Sequence, residues 1–563
     1  MKNEKGITLI ALIITVVVML ILAGVAISVL TSDGGLFDKT RRAAEAYENA
    51  AQREAEQITD LISESEKFFS GISSKPSDPK TNGSWNGKVN TPRLATGMTA
   101  IYWNEDGEEV ELTSSSSKSE WNKWYSYTAQ TGTTETPGSG TSKWANAVTK
   151  DKNGNITGYW VWIPRYEYKL TPPASGETAG TIEVNFISTN TTTSSSSEYK
   201  VHPAFISDPE KGGWDKELPG FWVAKYPAGY QARTVDGEGK FVNASDKISY
   251  SNLQYKRALY GSADSTRTRY NPIAQLITTR NNNPHILVPV QNISYPVFKP
   301  LTYTYNLIDV DSAFRIALDI KNNIEFYGLL NTTDTHLMKN SEWGAVAYLA
   351  WSQYGRNATE PNINNVVLQK SKFLTVQVTG IVATSTDASS TGGSFTGNTY
   401  NTAIGQLGST TGNITGVYDM NGCVREYVAA YIVNNNGIEQ RSEFGAALTS
   451  DYSEKKYKNI YPANNNADNE DGNYEMIDLS LRYGDAIKET SKSGRDWHGS
   501  WNNDSSTYAY NKAPFFSRGG CARDGGAAGL FTFGYFTMSD NGDMDYDCGF
   551  RVCLIPDVYT TSN

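Results

Sequence analysis

The sequence predicts an α+β ectodomain behind a single apolar helix. Three observations carry that prediction: an uncharged run of 24 residues near the N-terminus, short aromatic and β-branched runs separated by long polar loops from about residue 90, and only two strong helical patterns among them. Few helices among many strands imply an antiparallel sheet with helices packed on one face or end. No period of about 20–50 residues recurs, so a solenoid or propeller is rejected.

The apolar run, residues 7–30, reads ITLIALIITVVVMLILAGVAISVL. As a helix it would be ~36 Å long, enough to span a ~30 Å hydrocarbon core. Lys2 and Lys5 precede it and Asp33 follows it, which keeps the short N-terminus cytoplasmic and sends the remainder outward. A secretory leader would have a shorter apolar region, about 7–15 residues, ending at a small-residue cleavage site. Lys5-Gly6 followed by Ile7-Thr8-Leu9-Ile10 resembles a type IV prepilin leader, which a peptidase cuts after the glycine. That family's Glu at the fifth mature position is Ala11 here. The resemblance therefore implies membrane insertion rather than a filament.

Leader and membrane helix occupy residues 1–31, and an amphipathic stalk occupies 32–69. In the stalk Ala44, Tyr47, Ala51, Ile58 and Leu61 recur at helical spacing between charges. Self-association through this stripe and a solvated rod are both open readings. Residues 70–89 form a linker rich in Ser, Gly and Pro. The ectodomain is 90–560. Its clearest strands are Ala100-Ile101-Tyr102-Trp103, Tyr159-Trp160-Val161-Trp162-Ile163 and Phe221-Trp222-Val223-Ala224-Lys225-Tyr226. One helix is expected from Asp311 as cap, through Phe314, Ala317 and Leu318, ending before Gly328. A second runs from Asn340 as cap, through Trp343, Val346, Ala347, Ala350 and Tyr354, to Gly355.

Composition narrows the function. Fifty Lys and Arg against sixty Asp and Glu give a net charge of -10, with no basic excess to neutralise phosphates, so nucleic acid is not an expected partner. A hydrophobic share of 39% excludes disorder throughout. Four Cys (Cys423, Cys521, Cys548, Cys553) in 563 residues do not make a disulfide framework, and none forms a CxxC pair. The four His are scattered singly, which argues against a histidine-built metal site. His498, beside Trp497, is the histidine to test, with a core or rim role favoured over catalysis. HExxH, GxSxG and Walker motifs are absent.

Ordered blocks over roughly 350 residues resemble the C-type lectin fold in its formylglycine-generating-enzyme branch. His202-Pro203-Ala204-Phe205 and Leu218 through Tyr226 resemble early strands of that domain. His336-Leu337-Met338-Lys339-Asn340-Ser341-Glu342-Trp343 is similar to "LPTEAEW". Tyr418 through Tyr427 is similar to "DMxGNVWEW", and Arg518-Gly519-Gly520 with Gly549-Phe550-Arg551-Val552 to the closing "RGGSW... GFR". The enzymes of this branch oxidise a substrate cysteine through two nearby cysteines shortly after the "GG". Only Cys521 stands there, and the next is Cys548. The two meeting across a hairpin, as a disulfide or a metal site, remains an alternative. Cys423 replaces an Asn that the enzymes associate with calcium.

Between Gly520 and Gly549 lies CARDGGAAGLFTFGYFTMSDNGDMDYDC, 28 residues without Lys, Glu, Gln or Trp. This window resembles the variable region of a target protein of a diversity-generating retroelement, a class that uses the same lectin-fold branch. Adenine-directed changes in AAC or AAT codons cannot yield Lys, Glu, Gln, Trp or Met. Met538 and Met544 are the exceptions that must be fixed. The resemblance implies a membrane-anchored binding protein, not an enzyme, whose variable region spans about 518–553 and whose ligand is an extracellular protein or cell-surface molecule. Tyr-rich surfaces with small polar neighbours are good binding material.

Ala528, Gly529, Leu530, Phe531, Phe533 and Phe550 are expected to be framework. The ligand-binding candidates in the first half of the window are Cys521, Ala522, Arg523, Asp524, Gly526, Ala527, Thr532 and Gly534. Those in the second half are Tyr535, Phe536, Asp540, Asp543, Asp545, Tyr546, Asp547 and Cys548. No cofactor is expected. The alternating carboxylates of 543–547 leave bound calcium as an alternative, without the Gly and Glu that an EF-hand needs.

Overall fold

The computed structural model describes residues 89–130, 141–234, 295–306, 308–371, 374–388, 397–433, 442–450, 453–464, 469–534, 542 and 547–556. The chain divides into two units, Met1–Lys75 and Pro76–Asn563. The expected membrane helix, stalk and nearly all of the linker lie outside the described residues. Among the described residues no helix is long and apolar enough to cross a membrane.

The described part is mixed α+β, with several sheets and few helices. The first large sheet is antiparallel and seven-stranded. Its order is Asp334–Leu337, Val552–Ile555, Gly220–Ala224, Ile156–Pro164, Asn146–Lys150, Thr99–Trp103 and Glu109–Leu112. All three expected strands lie in it. Trp160, Val161, Trp162 and Ile163 are all fully buried, so this strand is covered on both faces. That is why its sequence is a continuous apolar run rather than an alternation. Trp162 stands opposite Trp222, with ring centroids 5.3 Å apart, while Trp160 faces the small Ala224.

The second seven-stranded sheet is mixed. The order is Asn459–Pro462, Arg425–Val433, Phe515–Arg518, Phe533–Gly534, Ser506–Thr507 and Arg495–Asp496, with Cys548–Phe550 also pairing in parallel with Arg425–Val433. Arg551 ties the two sheets together. It is fully buried, donates to both oxygens of Glu426 (2.9 and 2.6 Å), and reaches Ala224 O and Tyr418 O.

Both expected helices form, with shifted ends. The first is Val310–Asp319, capped by Asp309, whose side chain accepts from Ser312 N. Asp311 is not the cap. Its carboxylate pairs with Arg315 and accepts from Ala447 N, so a tertiary contact has taken it from the helix end. A short helix Ile324–Tyr327 follows and stops at Gly328, where φ is 70°. The second helix is Asn340–Trp351. It is preceded by Lys339 rather than capped by Asn340, and Glu342 reaches back to Lys339 N at 2.9 Å.

Candidate functional site

The window is mounted on the second sheet. Phe515–Arg518 leads into Gly519 and Gly520, both at positive φ, and a Cβ on Gly520 would stand 2.5 Å from Ala528 Cβ. Only glycine allows the chain to double back this tightly. Arg518 anchors the turn from below, donating to Asp485 O and Ala486 O at 2.9 Å each and lying over the Trp343 ring. A 3-10 turn, Gly525–Ala527, follows. Trp343 Nε1 then donates to Leu530 O at 2.8 Å, and Phe531 packs between Trp351 and Trp501. Phe533–Gly534 joins the sheet, and Cys548–Phe550 brings the chain back beside Arg425–Val433.

The framework residues are where the sequence puts them: Ala528, Leu530, Phe531, Phe533 and Phe550 are each 1% exposed or less. The contact residues divide. Arg523, Asp524 and Gly526 reach the surface in part. Cys521, Ala522, Ala527, Thr532, Gly534, Asp547 and Cys548 are buried, which corrects the expectation that they face a ligand. The reason is local. Alanines flanking the 3-10 turn pack inward, Thr532 Oγ1 donates to Ala527 O, and Gly534 O accepts from Ser517 Oγ inside the sheet. Composition shows that small and polar residues are allowed at these positions, but not which way they point. Tyr535, Phe536, Asp540, Asp543, Asp545 and Tyr546 lie outside the described residues.

Arg425, which the sequence reading did not single out, joins the two ends of the window. Its Nη2 donates to both oxygens of Asp524 (2.7 and 2.8 Å), and its Nη1 lies 3.9 Å from Asp547. Asp547 also pairs with Arg523 and accepts from Gln377 Nε2 at 2.9 Å. Its carboxylate thus faces two guanidinium groups. The available signal was that Arg425 stands where the resembling block reads Trp.

Two depressions flank the window. One is lined by Trp497, Arg425, Asp524, Thr532 and Gly534. The other, of about 490 Å³, is lined by Thr386, Asp387, His498, Asn502, Asn503, Gly526 and Ala528. That volume suits a small ligand or a partner's side chain. His498 Nδ1 lies 2.8 Å from Asn503 O. A carbonyl only accepts, so Nδ1 carries the hydrogen in this contact. Asp387, exposed, supplies an acceptor. His498 is a rim residue of this depression.

All four cysteines are free and buried. Cys521 is a free, fully buried thiol, and burial pushes it up to about 11. A thiol held protonated is a poor nucleophile and a poor metal ligand. Among the described residues one cluster elsewhere brings metal-ligating types together: His336, Glu342 and Cys553, all buried, with donor atoms within 4.8 Å. Lys339 already supplies a cation there, 3.7 Å from Glu342, and His336 Nε2 lies 3.0 Å from the same carboxylate. Burial opposes charge on His336, but Glu342 and Asp334 outweigh it and raise its pKa. The geometry is that of an internal ion pair. No protein-family model matches the chain, and no curated protein matches it either.

Proposed function

We propose that this chain is a membrane-anchored, outward-facing binding protein with a lectin-type fold of the formylglycine-generating-enzyme branch, whose C-terminal window is diversified by a retroelement. The observation that carries the reading is the division of the window. Its apolar residues are core, locked by Trp343, Trp351 and Trp501, while Asp524 and Gly526 border two depressions. Such a scaffold tolerates change at surface positions whose side chains do not hold it together. The ligand is an extracellular protein or cell-surface molecule, and the membrane is engaged through residues 7–30. The protonated, buried Cys521 favours binding over an oxidase.

The encoding DNA tests diversification. A nearby, near-identical repeat of the final coding segment, differing at adenines, is expected, and a locus without one overturns the proposal. Binding is tested with a cysteine-containing peptide as control substrate. Oxidation of that peptide by the purified chain, lost in Cys521→Ser, would replace the binder with the enzyme.

A further inference from the structure

The first half of the window turns on the glycines 519, 520, 525, 526 and 529, and they are not equivalent. Gly519, Gly520 and Gly525 sit at φ of 81°, 68° and 56°, a region that side chains disfavour. At Gly529 a Cβ would stand 2.4 Å from both carboxylate oxygens of Asp504. The chain beyond it is pinned, with Leu530 N donating to Glu360 Oε1 at 2.7 Å and Phe531 N to Asp504 Oδ2 at 2.8 Å. Gly526 differs. It lies inside the 3-10 turn Gly525–Ala527 without a positive φ, and among the described residues its Cβ would meet only Asp387, 3.2 Å from that residue's Cβ. Asp387 is exposed and has room to give way.

A side chain at 526 therefore points into the larger depression, whose rim Asp387 forms with His498, Asn502 and Asn503. The chemistry of that depression is one-sided. Asp387 contributes a carboxylate, Thr386, Asn502 and Asn503 contribute side-chain oxygens, and no Lys or Arg stands among the described residues that line it. Asp496, which accepts from His498 N at 2.9 Å, adds negative charge nearby. The guanidinium groups of the window are engaged elsewhere, Arg425 with Asp524 and Arg523 with Asp547. Such a lining repels an anion and matches a guanidinium, which has five donors and no acceptor.

We infer that the larger depression receives an arginine side chain of a partner protein, and that residue 526 sets what it accepts. The inference rests on the binding reading of the window and names the partner's chemistry. With Gly at 526 the depression is open, at about 490 Å³, and Asp387 faces the incoming guanidinium. An acidic residue at 526 adds a second carboxylate beside Asp387, and a basic one pairs with Asp387 in the partner's place. One position thus changes the specificity of the face without disturbing the glycines and carboxylates that hold the turn.

Binding of acetyl-arginine amide to the full-length chain in detergent micelles, followed by saturation-transfer NMR, tests this. Saturable binding is expected, and the uncharged acetyl-citrulline amide, of nearly the same shape, should not compete. Asp387→Asn should weaken binding about fivefold, the upper end for an exposed ion pair. Gly526→Lys should abolish it, and Gly526→Glu, of similar size, should tighten it, with thermal melting to show that both variants fold. Where a 526 variant does not fold, the citrulline comparison and Asp387→Asn decide. No saturable binding by the wild type, equal binding of the citrulline amide, or an affinity unchanged in Asp387→Asn overturns the inference, as does equal loss in the two folded 526 variants. Each of these results leaves the binding reading to its own test in the encoding DNA.

Discussion

In the first large sheet Trp160, Trp162 and Trp222 fill the interior, and strands as long as Ile156–Pro164 run through it. In the second sheet four of seven strands have three residues or fewer, and much of the holding is polar: Arg518 on backbone carbonyls, Arg425 on Asp524, Glu360 and Asp504 on backbone amides. The candidate site stands on the second sheet. Apolar burial is indifferent to pH and to which surface residues lie above it, whereas a buried polar network fixes individual backbone atoms and fails if a partner is lost. The difference teaches where rigidity at the site comes from. Short strands cannot supply it, so side chains bonded to backbone do.

The largest effect is expected in the apolar sheet. Trp222→Ala should cost about 3–5 kcal/mol, with the same loss in acidic and alkaline buffer, measured by denaturant unfolding. A loss that varies with pH would blur the contrast between the sheets. Asp524→Asn should cost less, about 1.5–3 kcal/mol, because it weakens a charge-assisted contact with Arg425 that is only partly buried. Its signature is faster amide exchange in the window while the first sheet stays protected. Uniform exchange through both sheets would show that Arg425 is not a local clamp.

A smaller effect sharpens the comparison at the edge of the first sheet, where His336 lies on the Asp334–Leu337 strand. Its raised pKa means that its contribution is fully present below the unfolded value of about 6.5 and is lost as pH rises through the folded value. His336→Gln should flatten that slope by up to about 1.4 kcal/mol per pH unit. A wild-type stability that rises across this range would contradict the assignment. The smallest effect is expected at Asp387, on the rim of the larger depression. Asp387→Ser should change stability by no more than about 0.5 kcal/mol, as judged by thermal melting. A larger change would make that rim structural.

The sequence alone determined the α+β class, three strands of the first sheet, both long helices and the buried framework of the window. Each depends on a run of neighbouring residues: aromatic and β-branched stretches, helical spacing, or phenylalanines set among glycines. Tertiary structure alone decided the rest. Asp309 rather than Asp311 caps a helix because Asp311 is drawn to Arg315 and the Ala447 amide. Cys521, Ala522 and Ala527 turn inward because the turn at Gly519 and Gly520 folds them onto Ala528 and its neighbours. Arg425, Glu360 and Asp504 join the site from positions 99, 170 and 27 residues away from their partners. A single charged residue carries no periodicity, and its partner is chosen by the fold that brings the two together.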